Sequence, residues 1–258
     1  MTPEYDSNAL RLPLVIVGPG GLGRELHQLV RDINRSAGGA EPWDMVGWLD
    51  GNAATHGTQV HGLPVLGDLD WLGDHPDTYV VVGIGAPPTR RKVVEKIRAL
   101  GHTRFATLIH PTAVIGDEVE IGEGTVICAN VTTTNDYKIG RHVLINIMAT
   151  VAHDDVLHDF VTIAPSAVIS GNVTIGEGTD LGTNATVNQG LEIGAWTSSA
   201  RGQWSPSPCL PTARRLAHRP SPSRSGLKAG ISDLTPHKIG RGIGQKKPRK
   251  CGAFLTTG

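Results

Sequence analysis

From Ile109 to Ile193 every sixth residue is aliphatic, with a single exception. The series runs Ile109, Ile115, Ile121, Ile127, Thr133, Ile139, Ile145, Val151, Leu157, Ile163, Ile169, Ile175, Leu181, Val187 and Ile193. A helix buries one face with a period near 3.6 and a half-buried strand with a period of 2, so neither accounts for it. A strict hexad rich in Gly, Thr, Val and Asn describes short strands stacked as the sides of a parallel β-solenoid. Three hexads close one triangular coil of about eighteen residues. A second position supports this reading. Four residues after each aliphatic comes a small or β-branched residue, as at Thr125, Val143, Ala149, Val161, Ala167, Val173 and Thr179, which suits a tight interior. Tyr137, Asp155 and Leu191 break that second rule. Asp155 is the informative break, because a carboxylate near the interior is costly unless it turns outward or pairs.

Ahead of the solenoid the pattern changes to alternating strands and helices. Leu14–Val17 reads as a buried strand, followed by Gly18-Pro19-Gly20-Gly21-Leu22-Gly23 and an amphipathic helix to about Ile33. Met45 to Leu49, Val65-Leu66 and Tyr79 to Val82 read as further strands, and Thr89 to Leu100 as a helix. The expected organisation is an α/β Rossmann-like domain over 1–104, an all-β parallel solenoid over 105–197, and a basic tail over 198–258. The glycine run suits a nucleotide. Gly18 permits the tight turn, Gly20 and Gly21 let phosphates approach the backbone and the helix N-terminus, and Gly23 packs helix on strand. Asp50 closes the second strand where a ribose-binding acid belongs. The loop alone does not tell a dinucleotide from a nucleotide sugar.

Composition narrows the classes. No apolar run reaches membrane-span length and the N-terminus shows no secretory pattern, so a cytoplasmic protein without a membrane partner is expected. Cys128, Cys209 and Cys251 form neither a disulfide framework nor a zinc motif. The formal net charge is zero, but residues 198–258 hold twelve of the 24 Lys and Arg and one acid, Asp233.

The Val-Ile-Val-Gly-x-Gly-Gly-x-Gly-Arg-Glu start, a short α/β domain and the hexads together resemble the NeuD/PglD-type sugar acetyltransferases of the hexapeptide-repeat superfamily. The resemblance covers residues 13 to 197 and is most specific at Ala149 to Leu157. It implies a left-handed β-helix, a homotrimer, and acetyl transfer from acetyl-CoA to a sugar amino or hydroxyl group. The α/β domain would hold the acceptor's nucleotide through Gly18, Gly20, Gly21, Gly23 and Asp50. It further implies His153 as the base, Asp154 as its supporting acid, and Thr162 and Gly171 beside acetyl-CoA, with no metal and no nucleic acid. His153 stands two residues after an inward aliphatic, so its imidazole should face outward, towards a neighbouring subunit. An imidazole titrates near neutrality and can take a proton from an attacking amine, and a carboxylate beside it fixes the tautomer. Asp155 is a second candidate for that support.

Two departures from the family pattern stand out. Leu22 replaces a histidine common in the glycine loop, and Thr162 replaces a second histidine nine residues past the base. Acetylation of a nucleotide-linked amino sugar is the leading expectation, and O-acetylation of a sialic-acid-like sugar the alternative. Other classes are a non-catalytic trimeric scaffold, an NAD-dependent oxidoreductase, and a zinc enzyme like the γ-class carbonic anhydrases. For the zinc enzyme, His153 and His158 match but Asp117 stands where a third histidine belongs. Asn130, Asn135, Asn146 and Asn184 are expected in corner or interior ladders.

After Trp196-Thr197 the hexad stops and Ser, Pro and Arg take over. A disordered basic tail is the plain reading. Codons exist for Ser198 to Pro222 that, with one G restored in front, read VIGAGAVVSKSLPANCTAVGAPAKP. That is one more hexad and then a closing segment typical of hexapeptide acyltransferases. A single-base deletion after the Thr197 codon would therefore place residues 198–258 out of frame, leaving the solenoid end uncapped and the chain weakly active or aggregation-prone. Resequencing the gene across this codon is expected to restore that reading; an intact frame with different codons would refute it.

Overall fold

The computed structural model describes residues 11–38, 41–199, 203–204 and 213–215. Most of the tail and its frame, and the lead-in before residue 11, lie outside the described residues.

The first part is a five-stranded sheet built from β1 (Leu12–Val17), β2 (Trp43–Leu49), β3 (Gln59–Val60), β4 (Leu63–Gly67) and β5 (Tyr79–Val82), in the order β3-β4-β2-β1-β5. All neighbours are parallel except β3, which folds back on β4 as a short hairpin. Helices α1 (Gly21–Ser36) and α2 (Pro87–Ala99) follow β1 and β5. The strand order switches sides between β1 and β5, so their carboxyl ends form the crevice where open α/β sheets bind ligands. Three glycines bring α1 this close to the sheet. A Cβ on Gly23 would lie 1.9 Å from the Gly18 carbonyl oxygen, and one on Gly83 would lie 2.8 Å from Gly23 Cα. The sheet edge does not end at β5. Residue 105 bridges Val80, and Ala106 N–H donates to the Val80 carbonyl, so the chain leaves the sheet one strand later than its hydrophobic pattern suggests.

From Leu108–Ile109 onward two- and three-residue strands stack into three sheets, parallel except where Ala213–Arg215 pairs antiparallel with Leu191–Ile193, and these are the faces of a left-handed β-helix. Rungs lie eighteen residues apart, as in Leu144↔Thr162, Val151↔Ile169 and Ile139↔Leu157. The hexad aliphatics fill the interior: Ile127, Ile145, Ile163, Ile175, Leu181 and Val187 are fully buried. Each such side chain contributes about 1.5–3 kcal/mol when removed from water. The small second-position residues are buried with them, Ala149, Ala167 and Ala185 included. The one polar step in the hexad is answered by a break in the second position. Tyr137 Oη donates to Thr133 Oγ1 at 2.5 Å, and Thr133 Oγ1 donates to the Val114 carbonyl at 3.2 Å. The parallel ladder continues to Ser198–Ser199 and Gln203–Trp204.

Corners repeat as regularly as faces. Glu118, Gly124, Asn130, Asp136, His142, Met148, Asp154 and every sixth residue through Trp196 has positive φ. Gly, Asn and Asp tolerate this conformation; at Met148, Phe160 and Trp196 it is strained, and the ladder on either side holds it. Asn130 and Asn184 are corner residues of this kind, and Asn146 Nδ2 donates to the Ile163 carbonyl at 3.2 Å.

The α/β part packs on one solenoid face. Leu26, Leu29 and Val30 of α1 form one core with Leu108, Val126, Cys128 and Leu144, which point outward from their coils. Arg90 of α2 fastens the contact. Its Nε donates to the His142 carbonyl, Nη1 to Ile84 and Gly85, and Nη2 to the Phe160 carbonyl and Thr162 Oγ1, at 2.7–3.0 Å. All five N–H groups are thus used. Burial draws its pKa down to about 10, with the Asp180 carboxylate acting the other way, so it stays charged at neutral pH. Beside it His142 lies between Phe105 and Phe160, and burial presses its pKa to about 4. Arg90→Ala strips partners from several buried carbonyls and is expected to cost about 3 kcal/mol or more. Urea denaturation should show this, with Arg90→Lys recovering only part because it lacks the planar fork; an unchanged midpoint in Arg90→Ala would contradict the role of this clasp.

Candidate active site

His153 follows the strand Thr150–Val151 and precedes Val156–Leu157, at the corner between two solenoid faces. Its backbone is held by the ladder: the His153 carbonyl accepts from Asn172 N–H at 2.8 Å. As the hexad requires, the side chain is outward and half exposed. Asp154 is the left-handed corner residue, φ +60°, and this turns its carboxylate back to the ring. Asp154 Oδ2 lies 2.8 Å from His153 Nδ1. An ionised carboxylate only accepts, so Nδ1 carries the proton and Nε2 keeps its lone pair.

Gly171 lies one coil away in the same column. A Cβ there would meet His153 Cε1 at 2.5 Å and Nε2 at 2.6 Å, so the ring occupies the space that any larger residue would take. Thr162 is placed differently from the expectation of a group beside acetyl-CoA. It is buried, its hydroxyl donates to the Gly85 carbonyl at 3.0 Å and accepts from Arg90 at 2.9 Å, and it belongs to the contact with the α/β part. Both hydroxyl roles are taken within the protomer.

Asp155 neither turns outward nor pairs fully. It is 0% exposed; Oδ1 accepts from Val173 N–H at 2.8 Å and Oδ2 has no partner. Burial raises its pKa to about 7, against the opposing pull of the Val173 and Ala152 amides and of His153.

The glycine loop forms a second candidate site. Val17, Gly18, Asp50, Gly51, Ile84 and Lys96 line a cleft of about 170 Å³ at the carboxyl ends of β1, β2 and β5. Gly18 has φ +93°, which only glycine adopts readily. Gly20 and Gly21 are exposed at the rim with open space where a Cβ would stand, whereas Gly23 packs beneath. The N-terminus of α1 has no side-chain cap and no acid in its first turn, leaving its amides available. Asp50 Oδ1 accepts from Asn52 N–H at 3.0 Å. Lys96 was not evident from the sequence, since one more basic residue on a polar helix carries no signal until α2 is docked beside the loop. Arg90 was hidden for a similar reason, because its solenoid partners lie 52 to 72 residues further on.

The two sites of one protomer do not converge. The α/β part covers the face formed by Val126–Ile127, Leu144–Ile145 and Thr162–Ile163, while His153 stands at the corner opposite that face. Uncovered apolar residues lie next to that corner: Val114 and Val168 on the adjoining face, Ile147 and Met148 at its far corner, 42–60% exposed. Among the described residues no three His, Cys, Asp or Glu side chains gather as metal ligands, and no helix is long and apolar enough to cross a membrane.

Comparison with known proteins agrees with this architecture. Residues 13–97 match the PglD N-terminal domain family. The GDP-perosamine N-acetyltransferase of Escherichia coli is 32% identical over 147 residues, 57% of this chain and 64% of that protein. The UDP-N-acetylbacillosamine N-acetyltransferase of Bacillus subtilis is 32% identical over 116 residues, 45% of this chain and 51% of that one. The matches thus span between half and two thirds of these curated relatives. The acetyltransferase domain of PglB from Neisseria gonorrhoeae, solved with acetyl coenzyme A, superposes with a TM-score of 0.64 at 30% identity, covering 73% of this chain and 88% of that domain. The chain belongs to the NeuD/PglD-type sugar acetyltransferases.

Proposed function

We propose that this chain transfers an acetyl group from acetyl-CoA to the amino group of a nucleotide-linked amino sugar, with His153 as the general base. The observation that carries this reading is the His153–Asp154 pair, 2.8 Å apart on an outward corner, with Nε2 free above Gly171. The sugar amine attacks the thioester carbonyl, and Nε2 takes the amine proton as the C–N bond forms. The tetrahedral centre then expels the CoA thiolate, which leaves with a proton. Asp154 stabilises the imidazolium through Nδ1–H. Gly171 seats the imidazole beside the thioester, and Thr162 acts through Arg90 as part of the scaffold.

The acceptor's nucleotide occupies the cleft at Gly18, with its phosphates towards Gly20, Gly21 and the α1 N-terminus, its ribose at Asp50, and Lys96 at the mouth. That both curated relatives are named for nucleotide-sugar N-acetylation supports an amino acceptor over a hydroxyl. Because cleft and base are on opposite sides of one protomer, a homotrimer unites them. Val114, Val168, Ile147 and Met148 supply the apolar surface for a second copy.

Thiol release from acetyl-CoA, followed with a panel of GDP- and UDP-linked amino sugars on the chain and on its frame-restored form, is expected to single out one acceptor. His153→Ala should lower that turnover by about a hundredfold or more while leaving the fold intact; turnover at the parent rate in His153→Ala would sink the assignment.

A further inference from the structure

The interior position of Asp155 has a hexad equivalent at a neighbouring corner of the solenoid, where threonine occupies it in two coils and its hydroxyl is bonded. Thr125 Oγ1 accepts from the amide eighteen residues on, Val143 N–H at 3.1 Å, and donates to the carbonyl fifteen residues on, Gly140 at 2.9 Å. Thr179 makes the same donation to the Gly194 carbonyl at 2.9 Å. Asp155 reproduces the first bond, accepting from Val173 N–H at 2.8 Å. The carbonyl equivalent to Gly140 and Gly194 is then that of Ser170, the residue before Gly171. Oδ2 is the atom left over, buried and without a partner. A protonated Oδ2 supplies the donor that threonine brings to this position; an ionised one presents a charge to a carbonyl instead.

We infer that Asp155 is a positioning residue whose protonation state is coupled, through the Ser170–Gly171 turn, to the seat of the His153 imidazole. Two contacts make the coupling short. Gly171 is within van der Waals reach of the His153 ring, and the Gly171 carbonyl is itself fixed by Gly190 N–H at 3.1 Å. The charged groups acting on Asp155 are His153 and Asp154 of its own corner. From the coil on one side comes Tyr137, whose hydroxyl is given to Thr133, and from the other Val173, which brings no charge. Burial and the Val173 and Ala152 amides act on the carboxyl most strongly, and the only charges that reach it are those of the two residues assigned to the chemistry. Its ordinary value is 3.8 and burial raises it to about 7, so the change of state falls where an imidazole also titrates. Ionised, Asp155 adds a buried negative charge behind the imidazolium that forms as the amine is deprotonated, a second acid behind the exposed one at Asp154.

The rate consequence rests on His153 acting as base; the coupling itself does not. The test is Asp155→Thr, which restores the bonding of Thr125 and removes the charge. A folded carboxyl raised above its unfolded value loses stability as pH rises between the two. The variant is therefore expected to match the parent near pH 4 and to exceed its melting temperature above pH 7. In the full chain, ¹³C and ¹⁵N spectra should show the Asp155 carboxyl titrating near 7. The Gly171 amide and His153 ring resonances should each carry a component that tracks this carboxyl, and that component should vanish in Asp155→Thr. With turnover, kcat above pH 8 should fall roughly three- to tenfold in Asp155→Thr while KM for acetyl-CoA holds. Gly171 and His153 resonances that ignore the Asp155 titration, or move identically in the variant, overturn the inference. An active His153→Ala would instead remove the catalytic reading and with it the rate effect, leaving the titration arm to judge the coupling.

Discussion

A parallel ladder that joins Leu144 to Thr162 and Thr162 to Asp180 obliges each side chain to share its column with the residues eighteen before and after. Almost everything specific about the solenoid descends from that obligation. The hexad aliphatics stack into one core because the step never slips between Ile109 and Ile193. Gly171 is placed under His153, and Val173 against Asp155, by the same step. Even the left-handed corners are affordable only because ladder bonds on both sides fix them. One consequence is that the His153 corner is set by backbone register: the ring, its carboxylate partner and the glycine beside it occupy fixed ladder positions.

A solenoid corner alone offers a base but little with which to recognise an acceptor. The α/β part adds the cleft, and Arg90 locks the two together through a guanidinium that spends every donor on the junction. Such a clasp fixes orientation more than it adds net stability, since burying the charge costs much of what its bonds return. Orientation is what matters here. It keeps the Gly18 cleft with the face that the α/β part covers and leaves His153 at the opposite corner, so the proposed base and acceptor site meet only if neighbouring copies are brought together. The reading as a nucleotide-sugar acetyltransferase thus calls for neighbouring copies on physical grounds, independent of family resemblance.

Much of this was legible in the residues because it is periodic. The hexad gave the solenoid and the outward direction of His153; Gly18, Gly23 and Asp50 gave the strand–turn–helix and its crevice. The left-handed corners were also written in the chain, in Gly124, Asn130, Asp136, Asn172, Gly178 and Asn184, but they lie in a third register that the aliphatic series does not draw attention to. What was not legible is whatever depends on docking. Thr162 occupies a position the family gives to histidine, yet its hydroxyl is consumed by Arg90 and Gly85, partners more than seventy residues earlier. Asp155 was expected to escape or pair. It does neither fully, because the ladder pins its backbone with the side chain inward, where backbone amides such as that of Val173 meet it and no cation pairs with it.

The central claim is that base and acceptor cleft come from different copies. Co-expression of two inactive forms, His153→Ala and the double variant Asp50→Ala/Lys96→Ala, tests it most directly. If neighbours share a site, random mixing leaves a functional base and a functional cleft together in about one half times one half, roughly a quarter, of the sites. Thiol release by the mixture is therefore predicted near a quarter of the parent rate. A mixture no more active than its two components would contradict the account.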